Sequence, residues 1–469
     1  MNDALWRWDG ARIALSVAAR RVSAREVVEA CIARMRAVDP ALNSVTVDLS
    51  EQALADAERL DAAIARGEPA GPLAGVPVTI KENVDQAGLP TPNGVVAYRD
   101  LVATEDSPVV ANLKRAGAIV VGRTNTPAFS FRLDTVNDLR GRTHNPWRRG
   151  VTPGGSSGGA AASVAAGVAA IAHGNDIAGS VRFPAYCCGL YGLRPSFGRV
   201  PAYLSTAKAE RAISAQLMSV QGPLARSVTD LAIVLDATVG VDPADAITKN
   251  AAAHVPASYR DGFATATLKG ARIGVLRSLM STGPEDDEVA GLVTKALDQM
   301  KAQGAEVVDA VVPGLDDLLR DGSVIADEFK FDLAAYLAKQ PNAPVKSLGE
   351  ILERGLYHDQ LEATFRLRNA PAVRESEHYR QALVKRRALA EAVTATLEGQ
   401  KLDVLVYPTL RRKPTLIGEA QIGTTCQLSA STGFPAISMP AGFTVDGLPV
   451  GLEMLGGAFT EPRLLNLAY

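Results

Sequence analysis

The chain has 469 residues, enough for one large domain or two to three ordinary ones, and its 47% apolar and 21% charged residues are ordinary for a globular protein. Lys and Arg number 49 against 51 Asp and Glu, so the net charge of −2 gives no broad basic field for nucleic acid or an anionic membrane surface. No apolar run reaches the ~18 residues of a spanning helix. The N-terminal MNDALWRWDGARIALS lacks a basic stretch followed by an apolar core, so no signal peptide is expected.

In chain order, residues 1–67 read as helical. Ser23-Ala-Arg-Glu26 is a capping box before VVEACIARMRAV, and Asp39-Pro40 is expected to close that helix. A second amphipathic run goes from Ser50 to Arg66 and ends at Gly67. GPLAGVPVTIKEN predicts a short buried strand, Val78 to Ile80, ending at Lys81. Ser107-Pro108 opens a helix that ends near Gly117, and AIVVGRTN follows as a buried strand and turn. Residues 141–200 are rich in Gly, Ser, Pro and Ala, too long for a structureless loop in a compact protein, with a helix expected over 158–172. Ser227 caps a helix in SVTDLAIVLDATVG. ARIGVLRS, a helix over about 286–303 and AEVVDAVVP form a strand–helix–strand unit, and 315–400 is mostly amphipathic helix. DVLVYPT, AISMPAGF and LPVGLEMLGG are late strands. Alternating strands and helices predict an α/β fold: a central twisted mixed β-sheet covered by helices on both faces.

The four cysteines, Cys31, Cys187, Cys188 and Cys426, form no C-x-x-C pair. Reduced, packed thiols in a cytoplasmic protein are expected. The five histidines show no H-E-x-x-H or other metal spacing, so neither metal nor cofactor is expected. His144 and His173 read as core or surface residues, hydrogen-bonded rather than catalytic.

TPGGSSGG, residues 152–159, contains Gly154-x-Ser156-x-Gly158, the pattern of a nucleophile elbow. That turn needs a strand before it and Asp/Glu and His partners after it. Thr152-Pro153 suits a buried strand poorly, and no later histidine sits in a motif. Twenty-four residues beyond Ser156, GNDIAGSVRFP places Ser180 after small residues that let the backbone approach a ligand, with consecutive N–H groups able to hold an anion. A serine nucleophile needs a base. With no credible histidine, the candidate is Lys81, which follows a buried strand where burial would favour the neutral amine.

The chain here resembles the amidase signature hydrolases. GPLAGVPVTIKEN (71–83), VVGRTNTP (120–127), RTHNPWRRGVTPGGSSGGAAASVAAG (142–167), GNDIAGSVRFPAYCCGLYGLRPSFGRVP (174–201), QGPLARSVTDLAIVLDATVG (221–240) and TGFPAISMPAGFTVDGLPVGLEMLGGAF (432–459) match its motifs in order. The resemblance implies a single amidase domain: N-terminal helices over 1–70, a signature core from 71–240 and 400–469, and a variable, largely helical substrate-entrance region over 241–399. It implies a Ser-cis-Ser-Lys triad with Lys81 as base, Ser156 as bridging serine on a cis peptide after Gly155, and Ser180 as nucleophile. The oxyanion would sit on the backbone N–H groups of Ile177, Ala178, Gly179 and Ser180. Gly155, Ser157, Asp176 and Arg182 would support the site. Ala178 departs from the family's glycine, and a terminal stretch beyond LLNLAY is expected.

Such an enzyme would cleave the C–N bond of linear, aryl or acyl amides through an acyl-enzyme. The stretch PAYLSTAKAERAISAQLMSVQGPLARS (201–227) resembles that of bacterial general amidases, a group that includes aryl acylamidases and urethanases, so carbamate hydrolysis is the alternative. The catalytic component of the tRNA-dependent amidotransferase is disfavoured, because that protein typically carries Gln where this chain has Phe183. Phe183, Tyr186, Leu217 and Met218 are candidates for an acyl or aryl pocket. The expected partner is a small-molecule amide or carbamate, with no nucleic acid or membrane, and the expected state is monomer or homodimer.

Overall fold

The computed structural model describes residues 5–202, 216–340 and 342–469. Nearly half of the 201–227 stretch singled out above, residues 203–215, lies outside the described residues.

Among the described residues there are thirteen strands: β1 (Val45–Asp48), β2 (Pro77–Lys81), β3 (Ile119–Thr124), β4 (Val136–Asn137), β5 (Gly141–Arg142), β6 (Ile171–Asp176), β7 (Tyr191–Arg194), β8 (Val220–Ala225), β9 (Arg272–Leu276), β10 (Glu306–Ala310), β11 (Val404–Pro408), β12 (Ala436–Phe443) and β13 (Pro449–Leu455). Eleven form one sheet in the order β1-β3-β2-β6-β8-β7-β12-β13-β11-β9-β10, and β4 and β5 make a separate ribbon. The sheet is mixed. β2 runs parallel to β3 and β6, and β9 parallel to β10 and β11, while the strands between them pair antiparallel. Helices cover both faces, so central strands such as β2, β3 and β6 are buried along their whole length.

Local signals set many boundaries. Ser23 and Glu26 form the reciprocal capping box of the helix Ala24–Leu42. Ser107 caps Pro108–Arg115, and Ser227 caps Val228–Thr238. Gly67 and Gly117, both at positive φ, follow their helices. Two boundaries move. Pro40 does not close the helix Ala24–Leu42; it sits in the last turn, which continues to Leu42 and ends at left-handed Asn43. Asp39 turns its carboxylate to the N–H of Ser44 instead. The helix expected over 158–172 covers only Gly158–Ala165, and the chain then enters β6, which brings Asn175 and Asp176 to the site. An Ala/Gly-rich run has neither period to separate helix from buried strand.

Two further packing regions frame the sheet. Phe129, Phe131, Phe329 and Phe365 meet in a cluster that seats the helices Ile325–Ala338 and Glu362–Asn369 against the loop after β3. Met218, Val324, Ala382 and Ala430 form a smaller cluster against Ile177 and Ala178. No helix among the described residues is long and apolar enough to cross a membrane.

Candidate active site

Lys81 ends β2 and is fully buried. Its Nζ lies 2.6 Å from Ser156 Oγ and 2.7 Å from Asn175 Oδ1. Burial drives the lysine well below its ordinary value of 10.5, against the opposing pull of Asp176 and Glu82. A neutral amine next to a serine hydroxyl is the arrangement a general base requires.

Ser156 is also fully buried, and the Gly155–Ser156 peptide is cis. The glycines around it are steric necessities. A Cβ on Gly154, at φ +82°, would lie 2.7 Å from Pro184 Cα, and one on Gly155 would lie 2.6 Å from the Arg132 carbonyl oxygen. The neighbouring Ser157 supports the site through its backbone rather than its hydroxyl. Its N–H donates to the Ser180 carbonyl at 3.1 Å, tying the two serine segments together, whereas its Oγ is buried with no hydrogen-bond partner.

Ser180, partly exposed, follows a tight loop after β6. The loop is shaped by Asp176, whose carboxylate accepts from the N–H of Gly179 at 2.8 Å and of Val181 at 3.1 Å. This narrows the expected oxyanion set. The Gly179 N–H is already committed to a carboxylate, which leaves those of Ile177, Ala178 and Ser180. Ala178 is accommodated because the positive φ of this loop falls on Gly179, at +119°, where a Cβ would collide with Cys426 Cβ at 2.7 Å.

Behind the loop lies a buried charge network. Arg182 grips Asp176 in bidentate fashion, Nε to Oδ2 and Nη2 to Oδ1, both at 3.1 Å, and reaches Glu453 at 2.5 Å. Arg194 donates to Asp176 Oδ1 at 3.0 Å and to the Met218 carbonyl at 2.7 Å. Tyr407 donates to Glu453 at 2.9 Å. Burial alone would raise the Asp176 carboxyl, but Arg182 and Arg194 outweigh it and hold it well below the usual carboxylate range. Asp176 therefore stays an anion and fixes the loop N–H groups by charge-assisted bonds.

Sequence reasoning named Asp176 and Arg182 but not Asn175, Arg194 or Glu453. The signal for Glu453 was present: one carboxylate in the otherwise apolar LPVGLEMLGG must find a buried cation.

The pocket candidates divide. Phe183 and Tyr186 are buried in the main core, 0% and 1% exposed, and the Tyr186 hydroxyl donates to the Arg412 carbonyl. Met218 is fully buried against Ile177 and Ala178, while Leu217 is 38% exposed beside it. All four cysteines are buried free thiols. His173 is buried too, but neither ring nitrogen has a hydrogen-bond partner, which corrects the expected hydrogen-bonded histidine. Among the described residues no group of three His, Cys, Asp or Glu side chains could hold a metal.

Residues 26–465 match the Amidase family. The chain belongs to that family. This amidase-family chain is 46% identical over 317 residues to an indoleacetamide hydrolase from Bradyrhizobium diazoefficiens, a match covering 66% of the chain but only 58% of that relative. It is 34% identical over 464 residues to a component of the glutamyl-tRNA(Gln) amidotransferase of Moorella thermoacetica, covering 96% and 93%. Its fold superposes on the crystal structure of a bacterial aryl acylamidase of the amidase signature family with a TM-score of 0.86 and 26% identity, covering 98% of this chain and 95% of that one. The amidase family, the mixed sheet and the helices on both faces thus agree with the expectation from the motifs.

Proposed function

We propose that this amidase hydrolyses the C–N bond of small amides carrying an aryl or acyl group, through an acyl-enzyme on Ser180. The observation that carries this reading is the buried Lys81 at 2.6 Å from Ser156, with its amine driven toward the neutral form. Lys81 takes a proton from Ser156 Oγ, which takes one from Ser180 Oγ as that oxygen attacks the amide carbonyl. The N–H groups of Ile177, Ala178 and Ser180 receive the developing oxyanion. Ser156 returns the proton to the leaving amine, and water, activated along the same path, releases the acid. The likeness to an indoleacetamide hydrolase and an aryl acylamidase supports an aryl-bearing substrate.

The match to the amidotransferase component spans nearly the whole chain, so the competing reading is a protein that works only within a complex of partner chains. The test is to assay the purified chain alone on indole-3-acetamide, p-nitroanilides, aliphatic amides and aryl carbamates. Turnover of aryl amides, abolished in K81A and S180A, is expected. Hydrolysis of none would favour the amidotransferase reading, and preference for carbamates would make the chain a urethanase. A fluorophosphonate adduct on Ser156 instead of Ser180 would overturn the assignment of roles.

A further inference from the structure

We infer that Asn175 is a positioning residue for the base: its side-chain oxygen takes one N–H of Lys81 and thereby turns the amine lone pair toward Ser156. The inference rests on the reading of Lys81 as base. A neutral amine has two N–H bonds and one lone pair. Nζ has two close side-chain partners, Asn175 Oδ1 at 2.7 Å and Ser156 Oγ at 2.6 Å. An amide oxygen can only accept, so the bond to Asn175 must use an N–H. The hydroxyl of Ser156 can then donate to the lone pair, which is the direction proton transfer requires.

Asn175 is itself held in the correct sense. Asn83, two residues beyond Lys81, donates its Nδ2 to the same Asn175 oxygen at 2.9 Å and to Ser130 Oγ at 3.2 Å. Turning the Asn175 amide over would set its NH2 group against two donors. The Asn83 carbonyl oxygen has no protein partner, so the orientation of that side chain is decided by what its NH2 group reaches. Ser130 in turn sits within 3.3 Å of Thr126 Oγ1 and, like Phe129, is a non-glycine residue at positive φ, +61° and +51°. The chain Lys81, Asn175, Asn83, Ser130 therefore runs from the base to a constrained turn braced by the phenylalanine cluster.

The charged groups facing Lys81 are Asp176, from β6, and Glu82, the residue that follows its own strand. Asp176 is engaged by Arg182 and Arg194, and Glu82 lies 3.6 Å from Arg140. Asn175 adds an acceptor without adding a third negative charge, which would favour the ammonium form.

The experiment measures the rate at which a fluorophosphonate labels Ser180 in the purified chain, across pH, for wild type, N175A, N175D, N83A and K81A, with thermal unfolding of each. Labelling reads the activated serine without needing a substrate. N175A is expected to label about 100-fold more slowly, and N83A about tenfold, with melting temperatures close to wild type. N175D keeps the acceptor in place but stabilises the lysine cation, so its acid limb moves to higher pH and its rate recovers above that limb. Wild-type labelling in N175A, an unshifted limb in N175D, or equal losses in all the Asn variants tracking lowered melting temperatures would each overturn the positioning role. Wild-type labelling in K81A would instead sink the triad, a result distinct from the others.

Discussion

Two regions brace the candidate site by opposite physics. Behind the nucleophile loop, Asp176, Arg182, Arg194 and Glu453 are fully buried ions joined at 2.5 to 3.1 Å. Beside the loop after β3, Phe129, Phe131, Phe329 and Phe365 pack with ring centroids 4.5 to 6.4 Å apart, and Arg368 stacks over Phe131 at 3.6 Å. The ions fix direction, because each bond is charge-assisted and each missing partner would strand a charge. The rings fix volume, and volume can be refilled by another apolar side chain. Directional restraint thus lies where N–H groups must point at a reacting oxygen, and adaptable packing lies under the helical region over 315–370.

Four substitutions test this contrast. Removing Arg182 takes the cation from Glu453 and leaves Asp176 with Arg194 alone. R182A should cost about 3–5 kcal/mol of unfolding free energy by denaturant titration and abolish amidase activity. A loss under about 1 kcal/mol would break the contrast.

K81M should have the opposite sign for stability. The folded lysine binds its proton less readily than the unfolded one, so its burial is costly below pH 10.5, and the cost eases as pH rises toward that value. Methionine removes the cost. The variant should gain stability at neutral pH and show a flatter rise in stability toward alkaline pH, with amide turnover lost. In the intact chain, activity should rise with pH through the lowered lysine value, well below 10.5.

His173 is a milder case. Burial lowers it to about 3 from 6.5, so the unfolded chain takes up a proton between those values and stability falls as pH drops from 6.5 toward 3. H173L lacks that loss and should gain about 2 kcal/mol on wild type between pH 7 and pH 5, read from chemical denaturation at both. Equal pH slopes for the two proteins would remove His173 from the account.

The smallest effect belongs to the aromatic region. F329L should cost less than about 1.5 kcal/mol and leave the labelling rate of Ser180 unchanged. A large loss of labelling would show that the rings, too, fix atoms at the site.

Much of the chain was legible because its signals are local. Capping boxes, Pro at a helix start and Gly after a helix end act within one turn, so Ser23, Ser107, Ser227, Gly67 and Gly117 could be read without a fold. The same holds for the chemistry carried by motif order, in which a lysine after a buried strand and two serines in glycine-rich turns stood out. The helix over 158–172 failed because alanine and glycine carry neither period, and only insertion between β2 and β8 decided that 171–176 is a strand. Pro40 failed as a terminator because the helix runs two residues past it, to Leu42, and ends at left-handed Asn43.

The sequence by itself determined the family and the α/β alternation and named the candidate reactive residues, since each rests on neighbours within a few positions. Tertiary structure alone decided which N–H groups of the nucleophile loop remain to meet an oxyanion, and which polar groups hold them. Arg182 and Glu453 are 271 residues apart, and Lys81 and Asn175 are 94 apart. No local preference encodes such meetings. They follow from strand order in the sheet and from the requirement that every buried charge find its partner.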